Sequence, residues 1–501
     1  MVELIPHRQV DWLTQQLRLT RGQRFGASSE QTQAISEQLS LFNEAEALTD
    51  SDGSEPDLEQ ITYRRKKRVG KRAMDFSGLP VEQIIHELPE AERICPECGG
   101  ALHRCGQSVL RRELVYVPAR YSVVEHVQTA YSCRCCEQKN DHVPMKKSEV
   151  PPALLPGSGL VSPSLPAHIL NSKYVLALPL YRQEQEFQRL GVPISRQTMA
   201  CWVIVVYQRW FADFFQLLRR ELLANSVLHA DETTLMVLQE PGRKAQQKSY
   251  VWVYRTSGDA QRPVVLYDYQ PSRAGECASR FLDGFTGMLH TDGYEAYHCK
   301  LQPEITAVGC WAHMRRKFTD TLKSLPADIR GRSPAQKGLE FCNKLFELEE
   351  RYTKQGLSFE QRHLARMKQS KPVAEEFFLW AKMEYGKNPV PKSMLGAALT
   401  YAVRQESWLM NVFLDGRLEL SNNRAERSVR PFALGRKNWL SSNTPKGADA
   451  SAAIYSIVET AKANGLKPFT YLNFLLEHLK NGGSIEACLP WTPLAQKTCK
   501  L

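Results

Sequence analysis

A chain of 501 residues is too long for one hydrophobic core, since single cores stop growing at about 250 to 300 residues, so several domains are expected. With 65 Lys and Arg against 54 Asp and Glu, the net charge of +11 suits a polyanionic partner but dictates no fold. No charged-then-apolar leader opens the sequence and no apolar run approaches the roughly 18 residues of a membrane span. The reading is therefore a cytoplasmic protein without a membrane partner, in which 13 cysteines speak for metal binding before disulfides.

Residues 1–43 form a short N-terminal helical region, with Val10, Leu13, Leu17 and Leu19 as its apolar positions and Gly26 as its stop. Residues 44–80 run from an acidic, Ser-rich stretch into "RRKKRVGKR", the pattern of a charged flexible linker. In residues 81–150, "ICPECGG" and "YSCRCCEQ" supply two Cys-x-x-Cys pairs, Cys95 with Cys98 and Cys133 with Cys136. Each pair has the spacing at which two thiolates on a tight knuckle meet one tetrahedral Zn²⁺; four sulfurs leave no open position, so the zinc is structural. The alternating span "RRELVYVPARYSVVEHVQTAY" reads as a β-hairpin that closes one knuckle on the other, and Cys135 competes for a ligand place.

The proline-rich stretch 151–166 marks a boundary. Residues 167–223 read as two helices joined at Gly191–Ile194, with Ser195 as N-cap of the second. This resembles a helix-turn-helix whose Arg196, Gln197 and Thr198 would face base edges; a plain helical hairpin is the competing reading.

From 226 the period changes. "SVLHADETTLMVL", "KSYVWVYRT" and "RPVVLYDYQ" read as an antiparallel meander, followed by a helix, the strand "GMLHTDGY", and "ITAVGCWAHMRRKF" as a strand entering a basic helix. With the first strand central and the fourth beside it, Asp231 and Asp292 sit on adjacent strands. Paired carboxylates repel unless a cation lies between them, and hard oxygen ligands favour Mg²⁺ or Mn²⁺. A two-metal clamp needs a third acid, and Glu426 in "LELSNNRAERSVRPFALGRKNW" is the candidate. Its bland alternative is a capping box, Asn423-x-x-Glu426, on a helix that Pro431 limits to about two turns. Around it, Arg424, Arg427, Arg430, Arg436 and Lys437 suit phosphates, as do Arg315, Arg316 and Lys317. Cys310 and His313 read as a buried cysteine and a histidine near the site.

These motifs, with "RFGASSEQ" and "YSIVETAKANGLKP" in the same order, resemble the bacterial DDE transposases of the insertion sequence 66 type over nearly the whole chain. The resemblance implies a multidomain α/β protein with a ribonuclease-H-like catalytic core (224–318 and 416–445), an α-helical insertion (319–415) and a C-terminal helical region (446–501). It implies a catalytic triad of Asp231, Asp292 and Glu426. The implied reaction is transposition: cleavage at terminal inverted repeats, then attack of the 3′-hydroxyl on target DNA, with no nucleotide cofactor or covalent enzyme intermediate. Homo-oligomerisation on DNA and small companion proteins of the same element are also implied. The alternatives are a catalytically inactive zinc-containing DNA-binding regulator and a nuclease that hydrolyses without joining.

Overall fold

The computed structural model describes residues 121–132, 145–155, 161–294, 297, 301–387, 389–390 and 393–500. These fall into two compact units that divide between Val150 and Pro151. In the first, β1 (Ala130–Ser132) pairs antiparallel with β2 (Met145–Lys147), Ser132 opposite Met145. The hairpin expected before the second Cys pair differs in its described part: Tyr121–Thr129 carries no strand, and Val123, Val124 and Val127 are exposed. Alternation without a face to bury does not make a strand, so the pairing falls after it. Cys95, Cys98, Cys133 and Cys136, like the N-terminal helical region and the linker, lie outside the described residues.

The second unit opens with α1 (Ser164–Tyr174), α2 (Leu180–Arg189) and α3 (Arg196–Val206), which continues through a π-turn (Tyr207–Phe211) into α4 (Ala212–Leu223). The Ser195 hydroxyl caps α3, accepting from the Thr198 amide at 3.1 Å. A mixed sheet follows: β3 (Val227–Met236), β4 (Lys248–Thr256), β5 (Val265–Gln270), β6 (Gly287–His290) and β7 (Ile305–Val308), in spatial order β5-β4-β3-β6-β7. The first three strands are antiparallel, and β6 and β7 run parallel to β3. α5 (Gly275–Phe281) joins β5 to β6, and α6 (Trp311–Ser324) leaves β7 with Cys310 at its N-cap.

Helices cover both faces of the sheet, which is why "YVWVY" in β4 is buried almost throughout instead of alternating with solvent. One core joins the sheet to α1, α3 and α4 and to α11 (Pro445–Ala463) and α12 (Pro468–Lys480). The other joins α6 to α7 (Pro334–Lys354), α8 (Lys371–Gly386) and α9 (Met394–Met410), with Trp311, Phe318, Phe377 and Trp380 at its centre. The small residues of "ASAAIYSIVETA" let α11 lie close to edge strand β5. There the hydroxyls of Ser456 and Thr460 accept from the amides of Tyr267 (2.8 Å) and Val265 (3.0 Å). That supplies an edge with the hydrogen bonds a missing strand would have made.

The last element of the site is α10 (Asn423–Trp439). It runs straight through Pro431, where the sequence suggests a stop after about two turns. Proline leaves the Arg427 carbonyl without its helical partner, a cost of about 3 kcal/mol. Packing outweighs it: Ala425, Ser428, Phe432 and Gly435 form one buried stripe, and Arg255 of β4 donates to Ser428 Oγ at 2.9 Å. The capping box is also corrected. Asn422, not Asn423, is the N-cap, and its side chain turns into the core instead of capping.

Candidate active site

Parallel pairing of β3 with β6 sets His229 opposite His290, so two residues further along each chain Asp231 comes abreast of Asp292. Asp231 lies within β3, where the strand has outrun β6, and Asp292 begins the turn that follows β6. That turn is tightly specified. Asp292 Oδ1 accepts from the Tyr294 amide at 2.9 Å, and Gly293 has φ +88°, a left-handed conformation open to glycine. A Cβ on Gly293 would stand 2.7 Å from the Tyr401 hydroxyl. From α9, Tyr401 donates to the Asp292 carbonyl at 3.0 Å and Gln405 to the Gly293 carbonyl at 3.3 Å. Helix α9 thus holds the second aspartate in place.

Carboxylate oxygens of Asp231, Glu232 and Asp292 lie within 4.8 Å of one another, the one such cluster of His, Cys, Asp or Glu among the described residues. Burial, then the charges of Glu232 and Asp292 and the weaker influence of Glu426, push the Asp231 carboxyl well above its usual range. A cation would relieve that repulsion, so the aspartate pair fits a hard divalent metal.

Glu232 is the acid the sequence reading passed over, and its neighbours explain what it does. Its side chain is only 2% exposed and is paired with Arg273, whose Nε donates at 2.7 Å, while Tyr297 donates to its other oxygen at 2.7 Å. Arg273 in turn stacks on Tyr294, 3.7 Å from the ring centre. Glu232 therefore ties the loop after Asp292 back to β3.

Glu426 stands in the first turn of α10 and does not join the 4.8 Å cluster. It faces two residues of α6, with His313 Nε2 at 3.6 Å and Arg316 Nη2 at 3.7 Å, and its side chain is 19% exposed. Burial holds the His313 imidazole below its usual range against the pull of Glu426. Both contacts exceed hydrogen-bond length, so they cost little to rearrange.

The basic residues divide. Arg315 is spent on Asn343 Oδ1 at 2.7 Å, Lys317 lies over the Tyr401 ring at 4.6 Å, and Arg424 is paired with Glu419. Arg436 donates to the hydroxyls of Thr233 (3.1 Å) and Thr234 (3.0 Å), bracing α10 on β3. Arg427 and Lys437 are exposed and Arg430 half-exposed. Arg196, Gln197 and Thr198 are exposed at the start of α3; the Arg196 amide bonds Glu184 at 2.9 Å and its guanidinium lies 5.5 Å from the Tyr181 ring centre. No helix among the described residues is long and apolar enough to cross a membrane.

Residues 158–450, which contain the whole site, match the transposase IS66 family. The chain belongs to the IS66 transposase family. Further matches are to the zinc-finger binding domain of transposase IS66 over 92–137 and the IS66 C-terminal element over 456–491. A match described as "Transposase C of IS166 homeodomain" spans 12–84. The family match also makes this a chain with an IS66 zinc-finger module, and the two Cys-x-x-Cys pairs fall within the matched span but outside the described residues. Two uncharacterized proteins of Sinorhizobium fredii are similar along most of their length. One, y4jD, is 32% identical over 82% of this chain and 80% of its own. The other, y4qI, is 31% identical over 98% of this chain and 90% of its own. Among solved structures, the Drosophila P element transposase strand transfer complex aligns with 60% of this chain and 92% of its own at 10% identity, with a TM-score of 0.32.

Proposed function

We propose that this IS66-family protein is a DNA-strand-transferring transposase whose reacting centre is formed by Asp231, Asp292 and Glu426. The observation that carries this is the register of β3 on β6, which brings two aspartates from separate motifs to one place, with a glutamate on the neighbouring helix facing the same region. Antiparallel strands followed by two parallel ones, with acids at the central strand and its parallel neighbour, support the ribonuclease-H-like reading of the core.

Asp231, Asp292 and Glu426 would hold Mg²⁺ or Mn²⁺. Divalent cations bound there supply the acidity that makes water, and then a 3′-hydroxyl, nucleophilic and that stabilises the leaving oxygen of a phosphodiester. The chain's own contribution is placement. β3 and β6 fix the aspartates, the Tyr401 and Gln405 contacts hold the turn, and the cations at Arg427, Arg430 and Lys437 bind backbone phosphates so that a scissile bond lies over the acids. Arg196, Gln197 and Thr198 would read base edges of the terminal repeat, and a zinc held by Cys95, Cys98, Cys133 and Cys136 would fold the N-terminal module. The partners would be terminal-repeat and target DNA in the bacterial cytoplasm, with a homo-oligomer assembled on the DNA.

Purified protein with Mg²⁺, labelled terminal-repeat DNA and a target plasmid tests this. Joined product that disappears with Asp231→Asn and with Glu426→Gln is expected. Hydrolysis without joining would make the protein a nuclease, and binding without either a regulator. For the zinc module, Cys98→Ser is expected to lose one equivalent of zinc by metal analysis; unchanged zinc would remove the four-cysteine assignment.

A further inference from the structure

Each aspartate of the pair is preceded at the same spacing by a histidine, in "LHAD" and "LHTD". Strand geometry puts residues two apart on one face, so His229 and His290 form a layer beneath Asp231 and Asp292. Both imidazoles are wholly buried, and they stack with ring centres 5.0 Å apart and planes 4° from parallel.

Their hydrogen bonds leave the sheet. His290 Nε2 faces the carbonyl of Glu419 at 2.7 Å, so it must donate. His229 Nδ1 lies 3.0 Å from Asn422 Oδ1. Asn422 spends its amide N–H on the Ala230 carbonyl at 2.7 Å, which leaves Oδ1 as the acceptor and His229 as the donor. Asn422 is itself fully buried, and its backbone amide donates to Cys310 Sγ at 3.1 Å. One residue thus joins β3, the start of α6 and the start of α10, the two helices that carry His313 and Glu426. The remaining ring nitrogens, His229 Nε2 and His290 Nδ1, are buried without a hydrogen-bond partner, and neither belongs to the acid cluster.

We propose that His229 and His290 are positioning residues: they grip the segment 419–422 from beneath the aspartates and so set where Glu426 stands relative to Asp231 and Asp292. The proposal rests on the reading of these three acids as one metal centre. It explains why two buried histidines are placed where apolar residues would pack more cheaply, since a hydrogen-bonded donor fixes its partner's position and a packed methyl does not.

The test uses the full chain and two readouts. Amide exchange of residues 419–426 in metal-free protein reports the grip alone, and Mn²⁺ affinity by electron paramagnetic resonance reports its consequence. His229→Phe and His290→Phe keep a ring but lose the donor. They are expected to raise exchange of that segment at least about tenfold, as local opening frees it, and to weaken Mn²⁺ by about 10 to 100-fold. His229→Asn and His290→Gln return an N–H close to the Nδ1 and Nε2 positions and are expected to stay close to the parent in both readouts. Unchanged exchange in the phenylalanine variants would overturn the grip. Faster exchange with unchanged Mn²⁺ affinity would make the layer structural only. Should a phenylalanine variant not fold, His229→Gln and His290→Asn, which misplace the N–H, replace it, and parental exchange in them overturns the proposal. If parent protein binds no Mn²⁺ that Asp231→Asn removes, the metal-centre reading fails while the exchange measurement still decides the grip.

Discussion

Asp231 lies on β3 and Asp292 just past the end of neighbouring β6, whereas Glu426 arrives on a helix that starts only after α7, α8 and α9. Asp231 is fixed by a backbone ladder, whose register cannot slip by one residue without turning buried side chains to the wrong face, and Asp292 stands in the turn directly after β6. The glutamate has no ladder. Its helix is located by side chains: Asn422 under its first turn, Arg436 on Thr233 and Thr234 near its last, and a buried Arg366 that donates to the Leu418 carbonyl at 2.7 Å while gripping Glu349 at 2.8 and 2.9 Å. A site built from one rigid half and one half assembled from long-range polar contacts should respond differently to damage on the two sides.

The largest effect is expected at the rigid half. Asp231→Asn or Asp292→Asn should lower DNA cleavage on the order of a thousandfold, measured in single turnover, with little change in melting temperature, because the ladder survives the substitution. Next is the turn that α9 holds. Gly293→Ala forces a left-handed residue and pushes on Tyr401 and Gln405, and displacing Asp292 by an ångström should cost on the order of a hundredfold in rate. If its cleavage rate were parental, the turn would not be positioning Asp292. At the polar half, Asn422→Leu leaves His229 Nδ1 and the Ala230 carbonyl without partners and should lower unfolding free energy by about 1 to 3 kcal/mol per orphaned group in a denaturant titration. The smallest effect is at Arg316, a cation 3.7 Å from Glu426 that competes with any metal there. Arg316→Ala should therefore tighten Mn²⁺ binding, by less than about tenfold given its solvent exposure.

How much of this could be read from the sequence follows the same division. The strands of "HADETTLMVL" and "GMLHTDGY", their neighbouring placement, and the strand-to-helix passage at "ITAVGCWAHM" were legible because period-two patterning and turn residues are local signals. The course of α10 was not. Whether Pro431 ends a helix depends on what Phe432 and Gly435 pack against, and which asparagine caps it depends on His229, Ala230 and Cys310, all far away in the chain. Glu232 has no such local signal beside Asp231, because its partners Arg273 and Tyr297 are 41 and 65 residues away in the chain. The His-x-Asp repeat stood within both motifs, and its recurrence on two adjacent strands was the signal that could have revealed a layer beneath the acids.

On the proposed reading Glu426, which stands outside the tight acid cluster, completes the metal centre, and Glu232, which stands inside it, does not. Glu426→Gln and Glu232→Gln, compared for Mg²⁺-dependent cleavage of labelled terminal-repeat DNA, separate the two roles. The expected result is loss of cleavage with Glu426→Gln and retention within about tenfold with Glu232→Gln, whose amide still bonds Tyr297. Cleavage that survives Glu426→Gln but vanishes with Glu232→Gln, in folded protein, would contradict it.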